Sequence, residues 1–369
     1  MTSLLALDFE LGPDLEQAIR ESVDASVAFC VLERRTSPRR RLEDLERLGA
    51  TAVRDANGVT ELANGTPVDD EIGLVMLTSG SGGEPKAAEL TWSALRASAE
   101  LTQATLRGDL PPVWLPCLPA SHIGGLAVLL RAILSDATLL WGEGENLESG
   151  AAHGATHVSV VRPQLARHDV SGFHHVLLGG ARPPTALPEN VISTWGMTET
   201  GSGVVYDGVA LPGVDVASID GEICVRTPTL FRSYRSEPRP TVRGPDGRDD
   251  WFPTGDAGDV TDGIVTVRGR LGFLINTGGE KLWPEELETA LATIEGVHDV
   301  AVTSVDDPEW GQRVVALIVS DGSRLDESVR GVAEERIGPW AKPKEIRYVV
   351  AIPRTGNGKI RRSDLPNVS

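Results

Sequence analysis

Paired cysteines, long apolar runs and a basic surplus are all missing from this sequence. Cys30, Cys117 and Cys224 are widely spaced and odd in number, so they offer no CxxC pair and no disulfide framework. A reducing, cytoplasmic setting is the compartment such thiols fit. No stretch approaches the ~18 uninterrupted apolar residues of a membrane span. The opening "MTSLLALDFELGPD" turns acidic without the basic start of a signal peptide. A net charge of −18 opposes general nucleic-acid or anionic-membrane binding. Lysine is scarce, confined to Lys86, Lys281, Lys342, Lys344 and Lys359, and arginine supplies the other cations. A protein this acidic that binds a polyanion must gather positive groups locally, so the setting of each lysine is informative.

What is present is enough chain for two domains or more: 369 residues, 40% of them apolar. Residues 1 to 70 read as short amphipathic helices ("DLEQAIRESV", "RRLEDLERLGA") alternating with loops. Thr91 is placed to N-cap a helix from Trp92 to about Leu106. "PVWLPCLPASHIGGLAVLLRAIL" reads as a strand, a glycine-containing loop and an apolar helix, and "ATLLWG", "THVSVV" and "HHVLLGG" as short strands with turn signals after each. Strands alternating with helices predict an α/β domain with a parallel sheet, whose ligands sit at the carboxyl ends of the strands. From about residue 204, short strands with Gly and Pro turns predict a small β subdomain. After residue 270, "PEELETALATI", "VHDVAVTSV", "RVVALIVS" and "DESVRGVAEERI" predict a small α+β domain, with Pro284 suited to a first helical turn.

Six segments carry chemistry. "LTSGSGGEPKAAELTW" packs three hydroxyls and three glycines into Thr78, Ser79, Gly80, Ser81, Gly82 and Gly83, and Lys86 follows in what reads as a strand. Such a loop is either a tight turn between strands or a phosphate cradle of convergent N–H groups, hydroxyls and a cation. It lacks the Walker spacing. "LLGGARPP" ends an apolar run with Gly179, Gly180 and Ala181, small enough for a flat base to approach the backbone, or simply a strand-ending turn. "STWGMTETGSG" offers Trp195, Gly196, Thr198 and Glu199: a phosphate donor and a Mg²⁺ carboxylate, or an aromatic-anchored polar loop. "WFPTGDAGDV" offers Asp256, able to accept both hydroxyls of a ribose or to close an Asx turn. "GRLGFLINTGGEKLWPEELE" joins the two large units, with Arg270 able to reach a nucleotide and Gly272 a hinge, or serves as an ordinary linker. "PRTGNGKIRR" sets Lys359 between glycine-rich and basic residues, either a catalytic lysine brought in by domain motion or a solvated basic tail.

Taken together and in this order, the six segments resemble the signature motifs of adenylate-forming enzymes, the superfamily of acyl-CoA synthetases, peptide-synthetase adenylation domains and luciferases. The likeness spans residues 72 to 362. It implies a large N-terminal α/β domain with a β subdomain (residues 1–269), a hinge (270–273) and a mobile C-terminal α+β domain (274–369). It implies further that "TSGSGGEPK" holds the β- and γ-phosphates of ATP, Glu199 holds Mg²⁺, Asp256 holds the ribose, and Lys359 drives adenylation. Gly278 and Gly279 of "NTGGEK" would then serve coenzyme A. Three departures stand out: Gly272 where the family has Asp, Trp195 where Tyr is commoner, and only 77 residues before the phosphate loop.

That compactness, with "WGMTETGSGVVYDGVALPGV" and "LPASHIGGL", resembles the o-succinylbenzoate–CoA ligases of menaquinone biosynthesis. The resemblance implies an ATP-dependent acid–thiol ligase acting on an aromatic carboxylate through an acyl adenylate. His122, Gly124, Ser121 and Ser202 become the candidates for the acyl pocket. No single arginine stands out in the sequence as partner for the substrate's second carboxylate. Two alternatives remain: another aryl- or acyl-CoA ligase of the same superfamily, and a non-catalytic acyl-adenylate-binding module.

Overall fold

The computed structural model describes residues 1–369 except 79–84, 107, 109–110, 136, 143–145, 185, 355–357 and 366–369. The chain divides into two compact units. The first comprises Met1–Val216, Val225–Phe252 and Asp262–Ile264; the second comprises Ala217–Cys224, Pro253–Thr261 and Val265–Ser369.

In the first unit, seven strands among the described residues form one sheet in the order Ser233–Tyr234, Lys86–Thr91, Ile72–Thr78, Ala28–Val31, Leu4–Leu7, Ala52–Asp55, Gly58–Glu61. The N-terminal segment, expected as helices and loops, thus alternates strands with the helices Pro13–Asp24 and Pro38–Leu48. The strands "LLAL" and "AFCV" pair in parallel, and three of the four residues of the first and all four of the second are buried. A strand covered on both faces shows no polar–apolar alternation, and four residues are too few to display a period. Ile72–Thr78 and Lys86–Thr91 form an antiparallel hairpin whose register sets Thr78 directly opposite Lys86.

A second sheet of this unit contains the predicted parallel strands. Val113–Leu115, Thr138–Leu139, His157–Val161, His175–Gly179 and Val191–Met197 run parallel. At Val191–Met197 the direction reverses: Ser202–Tyr206 and Val209–Ala210 add antiparallel strands to the same sheet. Two helices cover it. Trp92–Thr105 begins as expected, with Thr91 Oγ1 accepting from the Ala94 N–H at 3.1 Å. Ile123–Leu134 is apolar nearly all round and largely buried, the pattern of a helix enclosed by its neighbours. Gly124 and Gly125 lie inside this helix, not in the loop before it. A Cβ on Gly125 would sit 2.3 Å from the Pro119 carbonyl oxygen, so only glycine lets residues 116–122 fold back so tightly on the helix start.

In the second unit, the neighbouring strands Phe252–Thr261 and Ile264–Arg270 contribute most of their length. The C-terminal part is the α+β arrangement expected. Glu280–Leu282, Ile275–Thr277, Gly311–Ser320 and Val297–Asp307 lie in that order, and Glu345–Tyr348 joins Gly311–Ser320 in parallel. The helices Pro284–Leu291 and Asp326–Arg336 bury Leu287, Leu291, Val329 and Ala333 against Val300, Val302, Val314 and Ile318 of one sheet face. Among the described residues no helix is long and apolar enough to cross a membrane.

The close approach at Gly125 generates a test. Gly125→Ala forces the Pro119 carbonyl away and lowers stability by about 1–3 kcal/mol, the usual cost of overpacking. Thermal unfolding reads this directly, and an unchanged midpoint would show that the turn into the helix relaxes without strain.

Candidate active site

The phosphate-loop stems are in place. Thr78 is buried at the end of its strand and Lys86 opens the partner strand. Ser79, Gly80, Ser81, Gly82 and Gly83 lie outside the described residues. The Lys86 ammonium forms a close ion pair with Glu237 and stands 5.0 Å from the centroid of the Tyr234 ring. Tyr234 Oη donates to Glu199 Oε1 at 2.8 Å. Tyr234 reaches this position because Ser233–Tyr234 pairs beside Lys86–Thr91, with Tyr234 opposite Ala88. The structure therefore brings Lys86 and Glu199 to either side of one tyrosine, a residue the sequence reading did not single out.

Glu199 lies in the 3₁₀ turn Thr198–Thr200, at the carboxyl end of the strand Val191–Met197. Gly201, at φ 67°, closes that turn, its N–H bonded to the Thr198 carbonyl. Glu199 is buried, with 9% of its surface exposed. Among the described residues no group of three or more His, Cys, Asp or Glu is arranged to hold a metal. A single carboxylate suits Mg²⁺, which takes most of its ligands from phosphate and water.

Trp195 and Gly196 stand on the same strand, where a bulge falls between them. A Cβ on Gly196 would lie 2.1 Å from the Ser202 carbonyl oxygen, so the next strand's backbone requires this glycine. Gly179 ends the adjacent parallel strand, and Gly180, at φ 85°, and Ala181 turn away from it. Gly179–Ala181 and Trp195–Glu199 thus lie at the carboxyl ends of neighbouring parallel strands, where such sheets place their ligands.

The acyl-pocket candidates have two separate sets of partners, Glu33 for Ser121 and His122 and Arg131 for Ser202. Ser121 Oγ donates to Glu33 Oε2 at 2.7 Å, and His122 Nε2 is 3.9 Å from the same oxygen. Gly124 faces Leu118, with room for a Cβ at 3.8 Å. Ser202 is buried, and its Oγ accepts from Arg131 Nη2 at 2.6 Å. Arg131 is a second residue that the sequence alone did not point to. It is 3% exposed, and its guanidinium lies 5.2 Å from the Trp114 ring centroid. Its Nε and Nη1 have no hydrogen-bond partner, and no ion pair with it occurs among the described residues. Burial pushes its pKa down from the ordinary value. His157 also packs against Trp114; burial and then His175 hold it down to about 4, so that ring is neutral and brings no competing charge. The available signal was the one charge inside "IGGLAVLLRAIL".

In the second unit, Asp256 lies within the ten-residue strand Phe252–Thr261, not in an Asx turn. Gly255 beside it adopts φ 74° without ending the strand. Arg270 pairs with Asp256 at 2.9 Å and donates to the Thr254 carbonyl at 2.7 Å, so two separately chosen candidates meet. Gly272 lies in the 3₁₀ turn Leu271–Phe273. Gly278 and Gly279, at φ 60° and 86°, form the turn between Ile275–Thr277 and Glu280–Leu282. The Gly278 N–H donates to the Trp310 carbonyl, and the Lys344 ammonium sits 3.9 Å from the Trp310 ring centroid. Lys359 is half-buried, following Gly358.

Known proteins resemble this chain along most of its length. The family model for AMP-binding enzymes matches residues 13–235, and the model for the AMP-binding enzyme C-terminal domain matches residues 286–359. A probable 2-succinylbenzoate–CoA ligase of Mycobacterium tuberculosis is 35% identical over 336 residues, covering 82% of this chain and 85% of that protein. A feruloyl-CoA synthase of Amycolatopsis sp. is 30% identical, covering 97% of this chain and 82% of that one. The crystal structure of o-succinylbenzoate CoA synthetase from Bacillus subtilis, in complex with its acyl-adenylate intermediate, superposes with a TM-score of 0.85. It is 23% identical and covers 100% of this chain and 88% of that one. A glycine-rich hairpin with its lysine, a buried glutamate after a parallel strand, and a matched C-terminal unit holding the second lysine converge on one conclusion: the chain belongs to the family of AMP-binding, adenylate-forming enzymes.

Proposed function

We propose that this protein is an AMP-forming acid–thiol ligase that converts o-succinylbenzoate to o-succinylbenzoyl-CoA, a step of menaquinone biosynthesis, using ATP, Mg²⁺ and coenzyme A. The observation that carries the choice of acid is Arg131. A buried guanidinium without a counter-ion is costly, and the cost falls when an anion binds it. o-Succinylbenzoate has two carboxylates and only the succinyl one reacts. The benzoate carboxylate is then the anion for Arg131, with Ser202 holding the guanidinium in place. An acid without a second charge would leave Arg131 without an ionic partner among the described residues, which disfavours a neutral aryl acid.

The first step joins the succinyl carboxylate to the α-phosphorus of ATP and releases pyrophosphate. A carboxylate would otherwise have to expel oxide; the acyl adenylate expels AMP instead. Catalysis here is positioning and charge stabilisation. Thr78, Lys86 and the glycine-rich loop hold the β- and γ-phosphates, and Thr198 donates to phosphate. Glu199 would hold Mg²⁺, which would supply positive charge beside the phosphates. Tyr234, bonded to Glu199, fixes that carboxylate's orientation. Gly179, Gly180, Ala181, Trp195 and Gly196 take the adenine, and Asp256, oriented by Arg270, takes the ribose. Lys359 neutralises charge developing between the attacking carboxylate and the α-phosphate.

The second step joins the CoA sulfur to the acyl carbon and releases AMP. We assign the glycine turn Gly278–Gly279 to coenzyme A. Residues 270–273 serve as the hinge that exchanges Lys359 for this turn, between a domain of residues 1–269 and one of residues 274–369. Gly272 supplies the backbone freedom such a pivot needs.

Thioester formation with ATP, Mg²⁺ and CoA tests the proposed acid, with o-succinylbenzoate run beside benzoate and a medium-chain fatty acid. Strong preference for o-succinylbenzoate is the expected result, and preference for either other acid overturns the choice. Lys359→Ala lowers pyrophosphate exchange by about 10²–10³-fold, while thioester formation from supplied acyl adenylate persists. Equal loss of both half-reactions would contradict the role given to Lys359.

A further inference from the structure

We propose that Arg354 and Arg362 are positioning residues for Lys359, clamping the chain on either side of it onto the C-terminal sheet so that the ammonium is delivered as part of a rigid body. This inference rests on the adenylation role given to Lys359 above.

Lysine carries a flexible four-carbon stem and loses about 2 kcal/mol of rotamer entropy when fixed. A lysine that must meet one oxygen in a transition state therefore needs its own backbone held. The chain is tied together on either side of Lys359: Arg354 and Ile360 make an antiparallel bridge, and the Arg361 N–H donates to the Pro353 carbonyl at 2.9 Å. Ile360 packs against the buried cluster Ala301, Leu317, Ile352 and Leu365. Ala301 and Leu317 face opposite to their neighbours Val300, Val302, Ala316 and Ile318, so this segment covers the sheet face that the two helices leave open.

Each side of Lys359 is then fixed by an arginine. Arg354 grips Asp299 with two nitrogens, Nε at 3.1 Å and Nη2 at 2.6 Å. Its third nitrogen donates to the Gly358 carbonyl at 2.6 Å, which holds the peptide that enters Lys359. Arg362 donates to both oxygens of Glu288 at 2.9 and 3.0 Å, to Glu285 at 3.1 Å and to the Val302 carbonyl at 2.8 Å. Glu288 also accepts from the Val302 N–H at 2.8 Å, which locks helix Pro284–Leu291 to strand Val297–Asp307 at the same point. The Arg362 guanidinium lies 5.1 Å from the Phe273 ring centroid, at the end of the hinge segment. Planar, bidentate contacts of this kind fix direction as well as distance.

The two clamps differ in depth. The Arg362–Glu288 pair is nearly buried, with side chains 13% and 12% exposed, so breaking it endangers the fold. The Arg354–Asp299 pair is partly exposed, at 31% and 30%, so it can be cut with the fold retained. The test uses Arg354→Ala and Asp299→Ala in the full chain, with Lys359→Ala in parallel and thermal unfolding as the control. A displacement near 1 Å at a catalytic group costs about 10²-fold. Both clamp variants are expected to lower kcat of ATP–pyrophosphate exchange by about that factor, with KM for ATP held and thioester formation from supplied acyl adenylate intact. Equal loss in both half-reactions, or no loss of exchange, overturns the inference. If Lys359→Ala itself leaves exchange intact, the role of Lys359 fails and this inference falls with it. If Lys359→Ala abolishes exchange and the clamp variants do not, the positioning role alone fails.

Discussion

A guanidinium enclosed by apolar side chains imposes its charge on everything packed around it. Arg131 projects from a helix whose other residues are almost all apolar, and it is fully desolvated. One hydroxyl and one indole face are its described partners. Its Nε and Nη1 have no hydrogen-bond partner, and no acid pairs with it, among the described residues. The surroundings accommodate that charge without cancelling it. His157 stays neutral, and Tyr206 holds its hydroxyl 3.1 Å from Thr102 on the neighbouring helix. Such an arrangement is poor for stability and apt for capturing an anion. It gives a physical reason for preferring an acid with two carboxylates.

The nucleotide side of the first unit follows a different logic. There the charges are paired through intermediaries. Lys86 rests over the Tyr234 ring and against Glu237, and the hydroxyl of that same tyrosine holds Glu199. The Lys86 ammonium and the Glu199 carboxylate thus share one tyrosine, the first at its ring and the second at its hydroxyl. In the second unit the same economy recurs. Arg270 pairs with Asp256 through one nitrogen and holds the backbone through another, and Arg354 and Arg362 do the same with Asp299 and Glu288 on the one hand and the Gly358 and Val302 carbonyls on the other.

Much of this was legible in the sequence wherever the signal was local. Thr91 capped the helix it was expected to cap, and "AAEL" lay in a strand. The C-terminal strands and helices appeared as their periodicity required. The N-terminal strands did not show themselves, because "LLAL" and "AFCV" are buried without alternation. Asp256 could equally have closed a turn, because Gly255 adopts a turn-like φ within a strand. Tyr234 escaped notice for another reason. Its partners Glu199 and Lys86 are distant in sequence and meet only through sheet pairing. Arg131 was visible as a lone charge in an apolar run, but the sequence could not tell a charge that escapes to the surface from one held inside.

The most direct measurement compares o-succinylbenzoate with its analogue lacking the benzoate carboxylate, for the native protein and for Arg131→Met. Removing one partner of a buried charge pair typically costs about 2–5 kcal/mol, roughly 30-fold or more. The native protein should therefore favour the dicarboxylate by at least about that factor in kcat/KM, and Arg131→Met should lose most of the preference. Equal turnover of both acids by the native protein, or an unchanged ratio in the variant, would contradict the assignment of Arg131 to the second carboxylate.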